Sequence, residues 1–196
     1  MEALQAVDSE VGNARAVVLV EGVSDQATLE ALAGRRGRDL TAEGVSIVPM
    51  GGAHAIGRFL DRFGPKGLNL QLAGLCDAAE APHFQRALER AGLGSGIGRA
   101  EMEQLGFYVC EADLEDELIG ALGADAVELA LDGQGELAAF RSFQNQPAWR
   151  GRAREAQLRR FMGTRSGRKI QSGALLVGAL DLARIPRPLD GVLAHV

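Results

Sequence analysis

Apolar residues follow two rhythms along this chain. In the first half, short unbroken apolar runs alternate with segments of helical spacing; in the second half only helical spacing remains. The runs Ala16–Val20, Val45–Val48, Leu70–Leu75 and Leu105–Cys110 are short and rich in β-branched residues or leucine, which predicts buried strands. Between them, Ser24–Ala33, Ala53–Phe63 and Pro82–Ala91 read as helices, and another starts at Leu114. This βαβα order predicts an α/β fold, a mainly parallel sheet of about four strands with helices on both faces. After about residue 123 the strand signal stops. Ala124–Leu131, Glu136–Phe143, Arg150–Met162 and Ser166–Leu182 read as helices, the last with Ile170, Ala174, Val177 and Leu180 at helical spacing. The division expected is an α/β core over 1–122 and a helical extension over 123–196, packed on or beside it. The glycine-rich segment 92–98 reads as a flexible connection, and Ile185-Pro186-Arg187-Pro188 as the end of regular structure.

Acidic residues gather where three of these strands end. Glu21 terminates the first run, and Asp25 follows one helical turn on. Gly22 permits a sharp turn, and Ser24 has the chemistry of a helix N-cap. The third strand leads to Asp77 and Glu80; the fourth leads to Glu111, Asp113 and Glu115. In a parallel sheet all of these ends share one edge, where open α/β folds bind ligands. Carboxylates brought together repel unless a positive charge lies between them, and a divalent cation is the usual solution. Magnesium takes a few carboxylates plus water and phosphate oxygens, and two such ions about 4 Å apart form the clamp used for displacement at phosphorus. Simpler roles compete at some positions. Asp113 suits an N-cap, Asp116 and Glu117 suit the positive end of a helix dipole, and Glu80 fits either reading. Glu21 and Asp77 resist them, because a lone carboxylate at the end of a buried strand is costly.

Charge adds a second half to the picture. No Lys or Arg occurs between Arg99 and Arg141, an interval dense in acids. The sign then flips: Arg150, Arg152, Arg154, Arg159, Arg160, Arg165, Arg168 and Lys169 stand against the single acid Glu155. An acidic cluster beside a basic stretch suits a protein that holds metal in one place and phosphates in another; a solvated basic helix accounts for the charge equally well. At 5% aromatic content, a surface built on stacked bases is not expected. Cys76 and Cys110 have no partner at metal-ligand spacing and read as buried thiols. His54 and His83, near helix starts, read as ordinary partly exposed histidines. No apolar stretch is long enough to span a bilayer and the N-terminus lacks signal-peptide character, so a cytoplasmic location without membrane contact is expected. No GxxxxGK[ST] motif occurs and the glycines at 92–98 follow no strand, so no nucleotide cofactor is expected within this chain.

Val17 to Asp25, then Pro49-Met50-Gly51-Gly52, then Gly74-Leu75-Cys76-Asp77, together resemble the Toprim domain of topoisomerases, primases, recombination factors and the overcoming-lysogenization-defect (OLD) nucleases. Glu111-Ala112-Asp113-Leu114-Glu115 and the helical C-terminal portion resemble the OLD type more than the others. The resemblance implies a nuclease using Mg²⁺ or Mn²⁺, as one or two ions, to cut phosphodiester bonds of nucleic acid, with DNA the expected substrate. It implies Glu21 as a metal ligand or general acid/base, and Asp77 as the first aspartate of a DxD motif. The second aspartate is replaced by Ala79, a gap that Glu80, Glu111 or Asp113 would have to fill. It also implies a catalytic lysine from the helical part, for which Lys169 is the candidate, one of only two lysines among 21 basic residues. OLD nucleases ordinarily carry an ATPase, so a separate ATPase partner is an expectation. Two other readings stay open: a non-catalytic Toprim module of a repair or recombination complex, and a Toprim nucleotidyl transferase.

Overall fold

A computed structural model describes residues 11–163 and 166–196, with backbone alone for 166–171. Four parallel strands, β1 (Ala16–Val20), β2 (Val45–Pro49), β3 (Gln71–Asp77) and β4 (Phe107–Cys110), lie in the order β2-β1-β3-β4. Residue Ala16 pairs with Val45 on one side and Gln71 on the other, and Gly74 pairs with Phe107. All five β1 residues are fully buried, as an unbroken apolar run demands. Their side chains alternate between two cores. Ala16, Val18 and Val20 join one, and Val17 and Leu19 join the other.

One face is covered by α2 (Ile56–Phe63), α3 (Ala81–Ala91) and α4 (Arg99–Gln104), which contribute Phe59, Phe63, Phe84, Leu88 and Met102. The other face carries α1 (Val23–Arg35), α5 (Leu114–Leu122), α6 (Ala124–Gly133), α7 (Leu137–Gln144), α8 (Arg154–Met162), α9 (Ser166–Ala179) and α10 (Arg187–His195). The helices after residue 123 therefore pack into the same core as one face of the sheet, through Val127, Phe140, Leu158, Val177 and Leu193. Among the described residues no helix is long and apolar enough to cross a membrane.

Several elements differ from the sequence expectation. The first helix starts at Val23 with Gly22 as its N-cap, so Ser24 is inside the helix; Asp25 caps instead, its Oδ2 accepting the Gly22 N–H at 2.9 Å. The helix expected over 53–63 begins as a 3₁₀ turn, Ala53–Ala55. The connection after α3 closes with the short helix α4, which buries only Met102. Ile185 to Pro188 does not end regular structure. Pro186 is the N-cap of α10 and Pro188 sits in its first turn, where a missing N–H costs nothing. This helix buries Leu189, Val192 and Leu193 against the sheet.

The strand order fixes where a ligand can enter. The chain leaves β1 toward β2 on one side and β3 lies on the other, so the carboxyl ends of β1 and β3 flank the point where the connections diverge. Helices pull away from the sheet there and leave a crevice. Glu21 follows β1 and Asp77 ends β3, one on each lip.

Candidate metal centre

A cavity of about 190 Å³ opens at this crevice, lined by Glu21, Gly22, Ser24, Asp25, Gly52, Asp77, Asp113, Leu114 and Glu115. Five carboxylates from three strand ends thus converge on one space. Glu21 is tied to its neighbour strand: its Oε1 accepts the Asp77 N–H at 3.3 Å. Its backbone carbonyl accepts N–H groups from Gly51 and Gly52 at 3.1 and 3.0 Å. Those two glycines have φ of 75° and 116°, a turn closed to most other residues, so the Gly-Gly pair sets the height of Glu21 above the sheet. The acidity of the spot is felt below it. The buried Cys76 thiol is pushed far above its ordinary value, first by burial and then by the Glu21 and Asp77 charges.

The fourth strand contributes through the start of α5. Asp113 is the N-cap, its Oδ1 accepting the Asp116 N–H at 2.8 Å. Its other oxygen, Oδ2, is held by Arg159 from α8, with Nε at 2.8 Å and Nη2 at 2.7 Å. That bond holds the Arg159 guanidinium pKa above its usual range. Glu115 is only 6% exposed and, with Asp113, also lines a second cavity of about 440 Å³ bounded by Trp149, Arg152, Ala156, Arg159, Arg160 and Gly163. The acidic cleft and a basic groove therefore share a wall.

Two expected ligands lie outside the cleft lining. Glu111 is exposed and pairs with Arg99 at 2.6 Å, while its N–H donates to Glu117 Oε1 at 2.8 Å. Glu117 thus closes the turn after β4, beyond any dipole effect. Glu80, the residue before α3, turns toward His83, with Oε2 to Nε2 at 3.8 Å. His83 in turn meets His54, ring centroids 4.2 Å apart and edge to face.

The arginines divide by what already holds them. Arg152, Arg159 and Arg160 line the groove. Arg154 bridges Asp125 at 2.7 Å and Glu128 at 3.7 Å, locking α8 to α6. Arg150 Nη2 donates to the Asn145 carbonyl at 3.0 Å. Arg152 Nε donates to the Ala148 carbonyl at 2.9 Å, and its guanidinium lies over Trp149. Arg165 and the side chains of Arg168 and Lys169 lie outside the described residues; Arg168 and Lys169 fall in the first half of α9. The donor set lining the cleft is oxygen, from carboxylates and backbone, which suits a hard cation such as Mg²⁺ or Mn²⁺.

Residues 14–78 match the model of the overcoming lysogenization defect protein-like TOPRIM domain. That span includes Glu21, Asp25 and Asp77 and ends before Asp113 and Glu115. No curated protein matches the chain. Among solved structures, the C-terminal region of the Xanthomonas campestris pv. campestris OLD protein is 23% identical with a TM-score of 0.67, over 93% of this chain and 94% of that one. The C-terminal region of the Burkholderia pseudomallei OLD protein is 20% identical with a TM-score of 0.69, over 93% of this chain and 96% of that one. At these identities the likeness establishes a shared fold, and it extends through the C-terminal helices.

Proposed function

We propose that this chain, whose residues 14–78 form an OLD-like TOPRIM domain, is a metal-dependent nuclease that hydrolyses phosphodiester bonds in nucleic acid, with DNA as its substrate. One observation carries this reading. Five carboxylates line the crevice between β1 and β3, and the basic groove of Arg152, Arg159 and Arg160 runs up to the same wall. A scaffold needs neither the convergence of acids nor its junction with a phosphate-binding surface.

Glu21, Asp25 and Asp77 are the residues that would hold a divalent cation, with Asp113 and Glu115 in the place of the carboxylate missing at Ala79. When bound, Mg²⁺ or Mn²⁺ supplies Lewis acidity toward a phosphate oxygen and lowers the pKa of coordinated water. Glu21 would transfer protons as well, a role supported by the Asp77 N–H that its Oε1 accepts and by the Gly51-Gly52 turn that holds its backbone. Arg159 holds Asp113 now and would exchange toward phosphate as the strand enters. Arg152 and Arg160 position the backbone without reading sequence. Lys169, in α9, is assigned to neutralise charge that develops on the scissile phosphate. A separate ATPase is the partner this reading anticipates.

The test is cleavage of supercoiled plasmid with Mn²⁺ or Mg²⁺ against EDTA. Wild type should nick or linearise the plasmid only with metal. Glu21→Ala and Asp77→Ala should each lose the activity by about a hundredfold or more, the order expected for removing a key electrostatic group. Metal-independent cutting, or full activity in both variants, would remove the acidic crevice from the mechanism.

A further inference from the structure

His54, Glu80 and His83 come together outside the carboxylate cleft. One ligand atom from each lies within 4.8 Å of the others. Glu80 and His83 are three residues apart across the start of α3, which puts them on one side of that turn. His54 arrives from the 3₁₀ turn after β2. Its meeting with His83 at 4.2 Å joins two connections far apart in sequence.

The contacts around the cluster are incomplete as they stand. Glu80 Oε2 has no solvent access and no hydrogen-bond partner. His83 Nε2 is 3.8 Å from it, too long for a hydrogen bond. That spacing is near the roughly 3.3–3.6 Å between ligand atoms around a tetrahedral zinc ion with bonds of about 2.0–2.2 Å. Arg86 Nη2 sits 3.2 Å from His83 Nδ1. Arg86 is on the exposed side of α3, so it can leave when the imidazole takes its proton on Nδ1 and presents Nε2 to a metal.

We propose that His54, Glu80 and His83 form a second metal site, selective for a divalent transition ion of the zinc class. Two imidazoles and one carboxylate make a borderline-soft set that prefers such ions over magnesium. The site is separate from the oxygen-only cleft and does not depend on it. Its ion fastens the Gly51-Gly52 turn, which aligns Glu21, to the start of α3, which follows Asp77. His54 is exposed, so water would complete the coordination of the ion.

The experiment is equilibrium dialysis with Zn²⁺ in excess Mg²⁺, read by elemental analysis, with Co²⁺ visible absorption as the geometry probe. Wild type should retain one equivalent of Zn²⁺ and give the intense bands of a four-coordinate Co²⁺ complex. The double variant His54→Ala/His83→Ala should lose both signals while keeping its circular dichroism, since these side chains are at the surface. The variant Glu21→Ala/Asp77→Ala should keep both, so failure of the nuclease reading leaves this one standing. Zn²⁺ retained equally by His54→Ala/His83→Ala, or no Zn²⁺ retained by wild type, would overturn the proposal.

Discussion

Gly173 lies where α9 crosses α1, and among the described glycines it is the one where an added Cβ would meet the nearest obstacle. A Cβ added there would fall 1.8 Å from Thr28 Oγ1 and 3.1 Å from Thr28 Cβ. Thr28 is 1% exposed and its hydroxyl donates to the Ser24 carbonyl at 2.8 Å. Rotating the hydroxyl away breaks that bond, and the Thr28 Cβ stays too close in every rotamer, so the two helices must part. Overpacking of this kind costs about 1–3 kcal/mol. The broken buried bond adds about 1 kcal/mol, and replacing helical glycine by alanine returns about 1 kcal/mol. The net expectation for Gly173→Ala is a loss of about 1–3 kcal/mol, or a fall of roughly 2–12 °C in Tm for a chain of this size. Thr28→Ala removes the obstacle. The pair should therefore couple, with Gly173→Ala/Thr28→Ala more stable than the sum of the singles by about 0.5–3 kcal/mol. Urea unfolding of the four proteins followed by circular dichroism measures this. If Gly173→Ala is as stable as wild type, or gains the helix propensity of alanine, the close packing of α9 on α1 is wrong. Lys169 precedes Gly173 by one helical turn, so its position in the proposed site rests on that packing.

Three further outcomes follow from the same geometry. Arg159→Ala removes a cation bonded to Asp113 and should tighten Mn²⁺ binding by up to about fivefold, the most that a partly exposed ion pair worth about 1 kcal/mol allows; calorimetric titration reads it. The same variant should bind DNA more weakly and with a shallower salt dependence, by about one phosphate contact in a fluorescence anisotropy series. Burial lowers the His195 pKa below its ordinary 6.5. The unfolded chain then takes up that proton more readily. His195 thus contributes stability that is complete above about pH 6.5 and lost as pH falls through the lower folded value, and His195→Gln should flatten this part of a urea-midpoint against pH curve.

The parts of the fold legible in the sequence are those where one local signal decides. β1 is an unbroken apolar run, is buried on both faces and pairs on both edges, so no competing pattern existed. Glu21 and Asp77 stood out because each sits where such a strand stops. The failures arose where a local signal had two meanings. Pro186 and Pro188 were expected to end structure, whereas they open α10, since proline is as suited to a first turn as to a stop. α4 is six residues long with one buried side chain, too short to show a period. Ser24 lost the N-cap to Gly22 because Asp25 supplies the capping carboxylate from inside the helix. Pairings between distant segments were not legible at all. Nothing local tells that Arg159 reaches Asp113, or that Glu80 turns away from the cleft toward two histidines. Those contacts depend on strand order and on which face each helix takes.

Under the nuclease reading, the carboxylates between β1 and β3 hold the catalytic cation. Crystals of this chain soaked in Mn²⁺ and measured at the manganese absorption edge test it directly. An anomalous peak is expected among Glu21, Asp25 and Asp77, and it should disappear in Asp77→Ala. Manganese bound elsewhere, with that crevice empty at saturating concentration, would contradict it.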